Sequence, residues 1–124
     1  CSSDLKPATN LTVWLVQLPQ IERGKINENL ITRGWADPQN HKSLTKGEAL
    51  KPGQFYDVEF ALEPDDQVIA KDRRIALMVF ASDRDFTLWP KPGTEVTVDL
   101  DGTSLMLPVV GGEAAFAKAV SAAK

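Results

Sequence analysis

The chain has 124 residues, 43% of them hydrophobic and 25% charged, and a formal net charge of −3. That size and composition suit a single globular domain and argue against disorder. The two signs of charge are mixed along the chain without a basic stripe, which excludes the electrostatic footprint of a nucleic-acid binder, and no apolar run approaches the roughly 20 residues of a membrane-crossing helix.

The chain begins CSSDLKPATN, and Cys1 is its only cysteine. One cysteine makes no internal disulfide, and with His41 as the only other soft ligand it makes no zinc site. A cloning remnant and a buried small hydrophobe are two readings; the polar neighbours Ser2, Ser3 and Asp4 argue against burial at a fraying end. The third reading is a modified terminus. A cysteine at the first position, without methionine, is similar to a bacterial lipoprotein after removal of its signal peptide. Acyl chains on Cys1 would tether the domain to a membrane without a spanning helix. Ser2 stands where aspartate signals inner-membrane retention in lipoproteins of that type, so the expected location is the outer membrane, with the domain on its periplasmic face. Residues 1–10 then read as a lipidated polar tether.

LTVWLVQL (Leu11–Leu18) predicts a strand, rich in β-branched and aromatic residues and apolar on both faces, hence central in a sheet; Pro19 stops it. Residues 19–53 read as a long polar loop. The spacing of Ile26, Leu30 and Ile31 predicts one or two helical turns ended by Gly34, and a connection of this length is usually functional or disordered. QFYDVEFAL (Gln54–Leu62) alternates, with Tyr56, Val58, Phe60 and Leu62 on one face, as in a half-buried antiparallel strand. RRIALMVFAS (Arg73–Ser82) predicts a second central strand and Asp85–Trp89 a short one. Val96, Val98 and Leu100 point inward along the next, and Asp101-Gly102 predicts a type I′ hairpin into TSLMLPVV. The alanine-rich end, after Gly111-Gly112, predicts a short, loosely held helix. Several short strands with turns between them and no alternating helices indicate an all-β fold, an antiparallel β-sandwich, over residues 11–110, followed by a tail at 111–124.

Catalytic chemistry is hard to assemble from these residues. The single His41 sits in a polar loop and reads as solvated, which leaves no nucleophile–base pair. Asp83 and Asp85 would serve glycan hydrolysis only if held about 5–10 Å apart in a cleft, whereas SDRDF reads as a bend whose aspartates cap backbone amides. No glycine-rich phosphate cradle and no metal-ligand set is present, so neither cofactor nor metal is expected beyond a covalent lipid on Cys1. Trp14 and Trp89 read as strand packing, with a sugar- or lipid-binding platform as the alternative; Trp35, in the long loop, is a candidate partner contact. The chain reads as a binding protein, not an enzyme.

The order of these features resembles a known family. A lipid-type cysteine is followed by VWLVQL, a loop of about thirty-five residues to LKPG, the run RIALMVFASDRDFTLW, and the pair VTVDLDGTSLML. This resembles the type VI secretion outer-membrane lipoproteins of the TssJ (SciN) family. The resemblance implies a transthyretin-like β-sandwich and a tethered, non-catalytic adaptor that holds the periplasmic domain of a TssM-type inner-membrane protein. It further implies that Ile21, Arg23, Ile26, Leu30, Ile31 and Trp35, in the loop after the first strand, contact that partner. The chain is also similar in length and anchor to the type III secretion pilotins (YscW/ExsB-like), which would imply a secretin as partner.

Overall fold

The computed structural model describes residues 2–3, 8–19, 29–83 and 85–122. In chain order its elements are β1 (Ser2–Ser3), β2 (Leu11–Leu18), β3 (Leu30–Ala36), a 3-10 turn (Pro38–Asn40), β4 (Arg74–Phe80), β5 (Val96–Thr97) and α1 (Gly112–Ser121). Every strand pair is antiparallel: β3-β2-β4 form a three-stranded sheet, and β1 pairs with β5. The fold is mostly antiparallel β with one C-terminal helix.

β2 is the central strand of the larger sheet, as its two apolar faces predict. Directly opposed residues share a face. Val13, Leu15 and Gln17 therefore lie beside Val79, Leu77 and Ile75 on one side, and Thr12, Trp14 and Val16 beside Phe80, Met78 and Ala76 on the other. Leu11, Leu15, Val16 and Leu50 form the buried apolar core among the described residues. Burying side chains of this kind contributes roughly 1.5–3 kcal/mol each.

Two sequence expectations are corrected here. The supposed long loop contains β3: Leu30, Ile31 and Trp35 are strand residues, with Leu30 opposite Val16 and Trp35 opposite Thr12. Gly34 does not end a helix. It sits mid-strand because the chain at 61–62 crosses over it, where a Cβ would stand 2.7 Å from the Ala61 carbonyl oxygen and 2.8 Å from Leu62 Cδ2. The same crossing brings Glu63 N to the Arg33 carbonyl at 2.7 Å. β4 is also not central; it forms an edge of its sheet. Its Ile75, Leu77 and Val79 are left 37–38% exposed.

Gln54–Leu62 joins no ladder, yet its alternation survives: Tyr56, Val58, Phe60 and Leu62 are half-buried while Phe55, Asp57, Glu59 and Ala61 are exposed. Asp85–Trp89 is likewise not a strand. Asp101-Gly102 makes a turn in which Thr103 N donates to Leu100 O at 3.3 Å. It is not type I′, because neither central residue has positive φ, which that turn requires; Leu100 faces solvent. Two Lys-Pro-Gly turns form at 51–53 and 91–93. Gly53 and Gly93, with φ of 75° and 77°, follow their prolines, and Gln54 N and Thr94 N close back on Lys51 O and Lys91 O at 3.2 Å each. Proline then glycine is the pairing a type II turn favours. α1 buries none of its residues. It flanks an open groove of about 330 Å³ lined by Leu105, Leu107, Val109 and Phe116.

Candidate functional site

The register of β2 and β3 places Trp14 opposite Arg33 and Thr12 opposite Trp35 on one face of the sheet. Asp83, three residues beyond β4, turns under that face and is 4% exposed. Its Oδ2 accepts three hydrogen bonds: from Trp14 Nε1 at 3.0 Å, Trp35 Nε1 at 3.1 Å and Arg33 Nη1 at 3.1 Å. Arg33 lies between two rings, its Cζ 5.2 Å from the Trp14 centroid and 4.5 Å from that of Phe86. Phe86 stacks on Trp35 with centroids 5.8 Å apart, and Trp14 meets Phe80 edge to face at 5.1 Å.

Each part needs the others. A carboxylate this buried is tolerated only when paired and hydrogen-bonded, and Arg33 supplies the countercharge. The two indoles can bury their rings because each N–H finds an acceptor. Among the described residues, Thr12 Oγ1 is the buried side-chain polar atom on this face without a hydrogen-bond partner.

The loop after β4 is tied to this cluster. Phe86 N and Thr87 N donate to Asp83 O at 2.8 and 2.9 Å, and Asp83 N donates to Thr87 Oγ1 at 2.8 Å. Asn10 Nδ2 donates to the Leu88 carbonyl. Beside it lies a second open groove, about 290 Å³, lined by Asn10, Gln39, Leu88, Trp89 and Lys91 among others.

This arrangement fastens strands together. The Asp83 oxygen that faces the cluster is saturated by donors, and Asp85 is exposed, so the two carboxylates do not converge in a cleft. Trp14 is half-buried in the cluster and offers no open platform. Trp89 is not packed in a strand; it is 68% exposed. His41 Nδ1 lies 3.0 Å from the Pro38 carbonyl oxygen, and its ring meets Tyr56 at 4.7 Å. Nearby, Lys42 Nζ donates to Glu48 Oε2 at 2.9 Å; that bond, then the Lys42 charge, holds the Glu48 carboxyl below its ordinary pKa. Among the described residues no group of three or more potential ligands is placed to hold a metal, and no helix is long and apolar enough to cross a membrane.

Of the partner-contact residues expected from the sequence, Trp35 joins the Asp83 cluster and Leu30 and Ile31 begin β3. Ile21, Arg23, Ile26 and Cys1 lie outside the described residues. Ser2 is paired through its backbone with Thr97. The sequence reading missed Arg33 and Phe86; the signal for Arg33 was its i, i+2 spacing to Trp35, which puts both on one strand face.

Comparison with known proteins points to a different family. Residues 2–119 match the sequence profile of the X-Pro dipeptidyl-peptidase C-terminal non-catalytic domain. The chain belongs to this family. A Rhodopirellula baltica protein named "Putative Xaa-Pro dipeptidyl-peptidase" is 62% identical over 109 residues, covering 86% of this chain and 17% of that protein. A Bacillus cereus protein of the same name is 38% identical over 105 residues, 85% of this chain and 17% of its own length. The Xaa-Pro dipeptidyl-peptidase of Lactobacillus delbrueckii subsp. lactis is 33% identical over 78 residues, 63% of this chain and 10% of its own. The chain thus spans about a sixth of the length of the first two relatives. No solved structure matches it.

These matches overturn the secretion-system reading. The chain is not a TssJ-type lipoprotein or a type III pilotin, and the expected partners, a TssM-type protein or a secretin, fall with that reading. The expectation of a binding protein that is not an enzyme is corrected too: the relatives are named as peptidases, and this chain matches the family's non-catalytic C-terminal domain.

Proposed function

We propose that this chain is the non-catalytic domain of a peptidase that removes Xaa-Pro dipeptides from the amino ends of peptides, and that it packs on the catalytic part of the same polypeptide. The observation that carries the reading is the family match over nearly the whole chain, with a relative 62% identical that is about five times as long.

The surface of the chain supports the packing role. The apolar stripe Ile75, Leu77 and Val79 along the edge strand β4 is left 37–38% exposed, a row that a covering partner would bury. The finer architecture belongs to the same reading. The three-stranded sheet is one layer of a β-sandwich, and the alternating segments 54–62 and 94–98 contribute to the second, with the catalytic part completing the cover.

Replacing Ile75, Leu77 and Val79 together with threonine in the full-length polypeptide tests this. Threonine keeps the β-branching or β propensity of the strand while weakening the apolar contact. The expected result is that a single cooperative melt splits into two, with the domain melting first. An unchanged melt would refute docking through β4.

A further inference from the structure

Three large apolar side chains lie within four residues on the loop after β4: Phe86, Leu88 and Trp89 are 63%, 86% and 68% exposed. An exposed apolar tip on a slack loop would lose much of its binding energy to ordering, but this loop is fixed at its base. The Asp83 carbonyl holds the amides of Phe86 and Thr87, the Asp83 amide is held by Thr87 Oγ1, and Asn10 holds the Leu88 carbonyl. Underneath, three donors pin the Asp83 carboxylate, and Phe86 is stacked on Trp35 and on the Arg33 guanidinium. Aromatic and aliphatic side chains offered on a rigid support are the chemistry of an interface hot spot. The groove beside Leu88 and Trp89, with Asn10, Gln39 and Lys91 on its walls, gives an incoming side chain both apolar and polar contacts.

Resting on the docking role above, we infer that the loop 85–90 is the anchor by which this domain grips the catalytic part of its own polypeptide. The occupant follows from chain length. Relatives carry about five residues outside this domain for every one inside it, so the nearest large surface available to an exposed anchor is the rest of the same molecule. The Asp83 cluster then has a purpose beyond stability: it couples the sheet to the anchor, holding the tip in its docked shape before contact.

Hydroxyl-radical footprinting of the full-length polypeptide reads the anchor without any substitution. Leu44, Leu88 and Leu100 share one chemistry and are 93%, 86% and 79% exposed here. The inference expects Leu88 to be oxidised at least tenfold more slowly than Leu44 and Leu100, with Trp89 protected alongside it and the protection independent of protein concentration. Leu88 reacting as fast as the other two overturns the anchor. Protection that grows with concentration also overturns it, because the occupant is then a second copy. Ile75, Leu77 and Val79 report separately: if they are protected while Leu88 is not, the docking role stands and only the anchor falls, and if all four react freely, both fall.

Discussion

Removing the Asp83 carboxylate is the sharpest perturbation of the structure. Asp83→Ala takes away the one oxygen that receives Trp14, Trp35 and Arg33. The Arg33 and Asp83 side chains are 16% and 4% exposed, and breaking such a pair by deleting one partner costs about 3–5 kcal/mol, because the other charge stays buried. Each indole N–H left without its acceptor adds up to about 1–3 kcal/mol. These contributions share one acceptor and do not add in full, and both tryptophans are only half-buried, so water recovers part of the loss. The expected total is about 4 kcal/mol, a large share of the roughly 5–15 kcal/mol stability of a domain. At this size 1 kcal/mol moves Tm by about 3–6 °C, so Asp83→Ala should lower Tm by about 15 °C, followed by tryptophan fluorescence from within the cluster. Asp83→Asn keeps an oxygen for the indoles and loses the charge, so about half the cost should return. A loss below about 1 kcal/mol for Asp83→Ala would refute the view that this carboxylate ties the sheet together.

Other expectations follow from single contacts. Gly34→Ala sets a Cβ against backbone at Ala61 and Leu62, where a flexible side-chain tip cannot yield, and should destabilise by about 1–3 kcal/mol in urea unfolding. Thr12→Val keeps the shape and removes a buried hydroxyl without a partner, so the midpoint should rise by the equivalent of about 1 kcal/mol. Leu15→Ala in the buried core should cost about 2–5 kcal/mol by the same measurement. Lys42→Ala should move the Glu48 titration upward by NMR, since Lys42 is what depresses it. The sign follows: any stability from that pair is present above the unfolded carboxylate pKa and is lost as pH falls through the folded one.

Local pattern revealed local structure. β2 was legible because both of its faces are apolar and Pro19 follows it. Alternation at 54–62 correctly assigned which side chains turn inward, although no ladder forms there. β3 was hidden by the coincidental helical spacing of Ile26, Leu30 and Ile31, and by a glycine whose real reason is a strand crossing nearly thirty residues later in sequence. The Asp83 cluster was out of reach for the same reason: Asp83 bonds Trp14 across 69 positions and Arg33 across 50, and nothing near SDRDF announces those partners. The bend at Asp83 was read correctly, but its carboxylate was assigned to backbone capping, whereas it is the backbone carbonyl and amide that close the bend. The family resemblance failed because it rested on strand alternation, Pro-Gly turns and a first-position cysteine. Alternating strands and such turns recur in many unrelated β domains.

A chromogenic Xaa-Pro substrate tests the proposal that this chain is the non-catalytic domain of an Xaa-Pro dipeptidyl-peptidase. The full-length polypeptide should release the dipeptide when proline is the second residue and not when alanine replaces it, while the 124-residue chain alone should release nothing. Release by the isolated chain, or a full-length polypeptide indifferent to proline at that position, would contradict it.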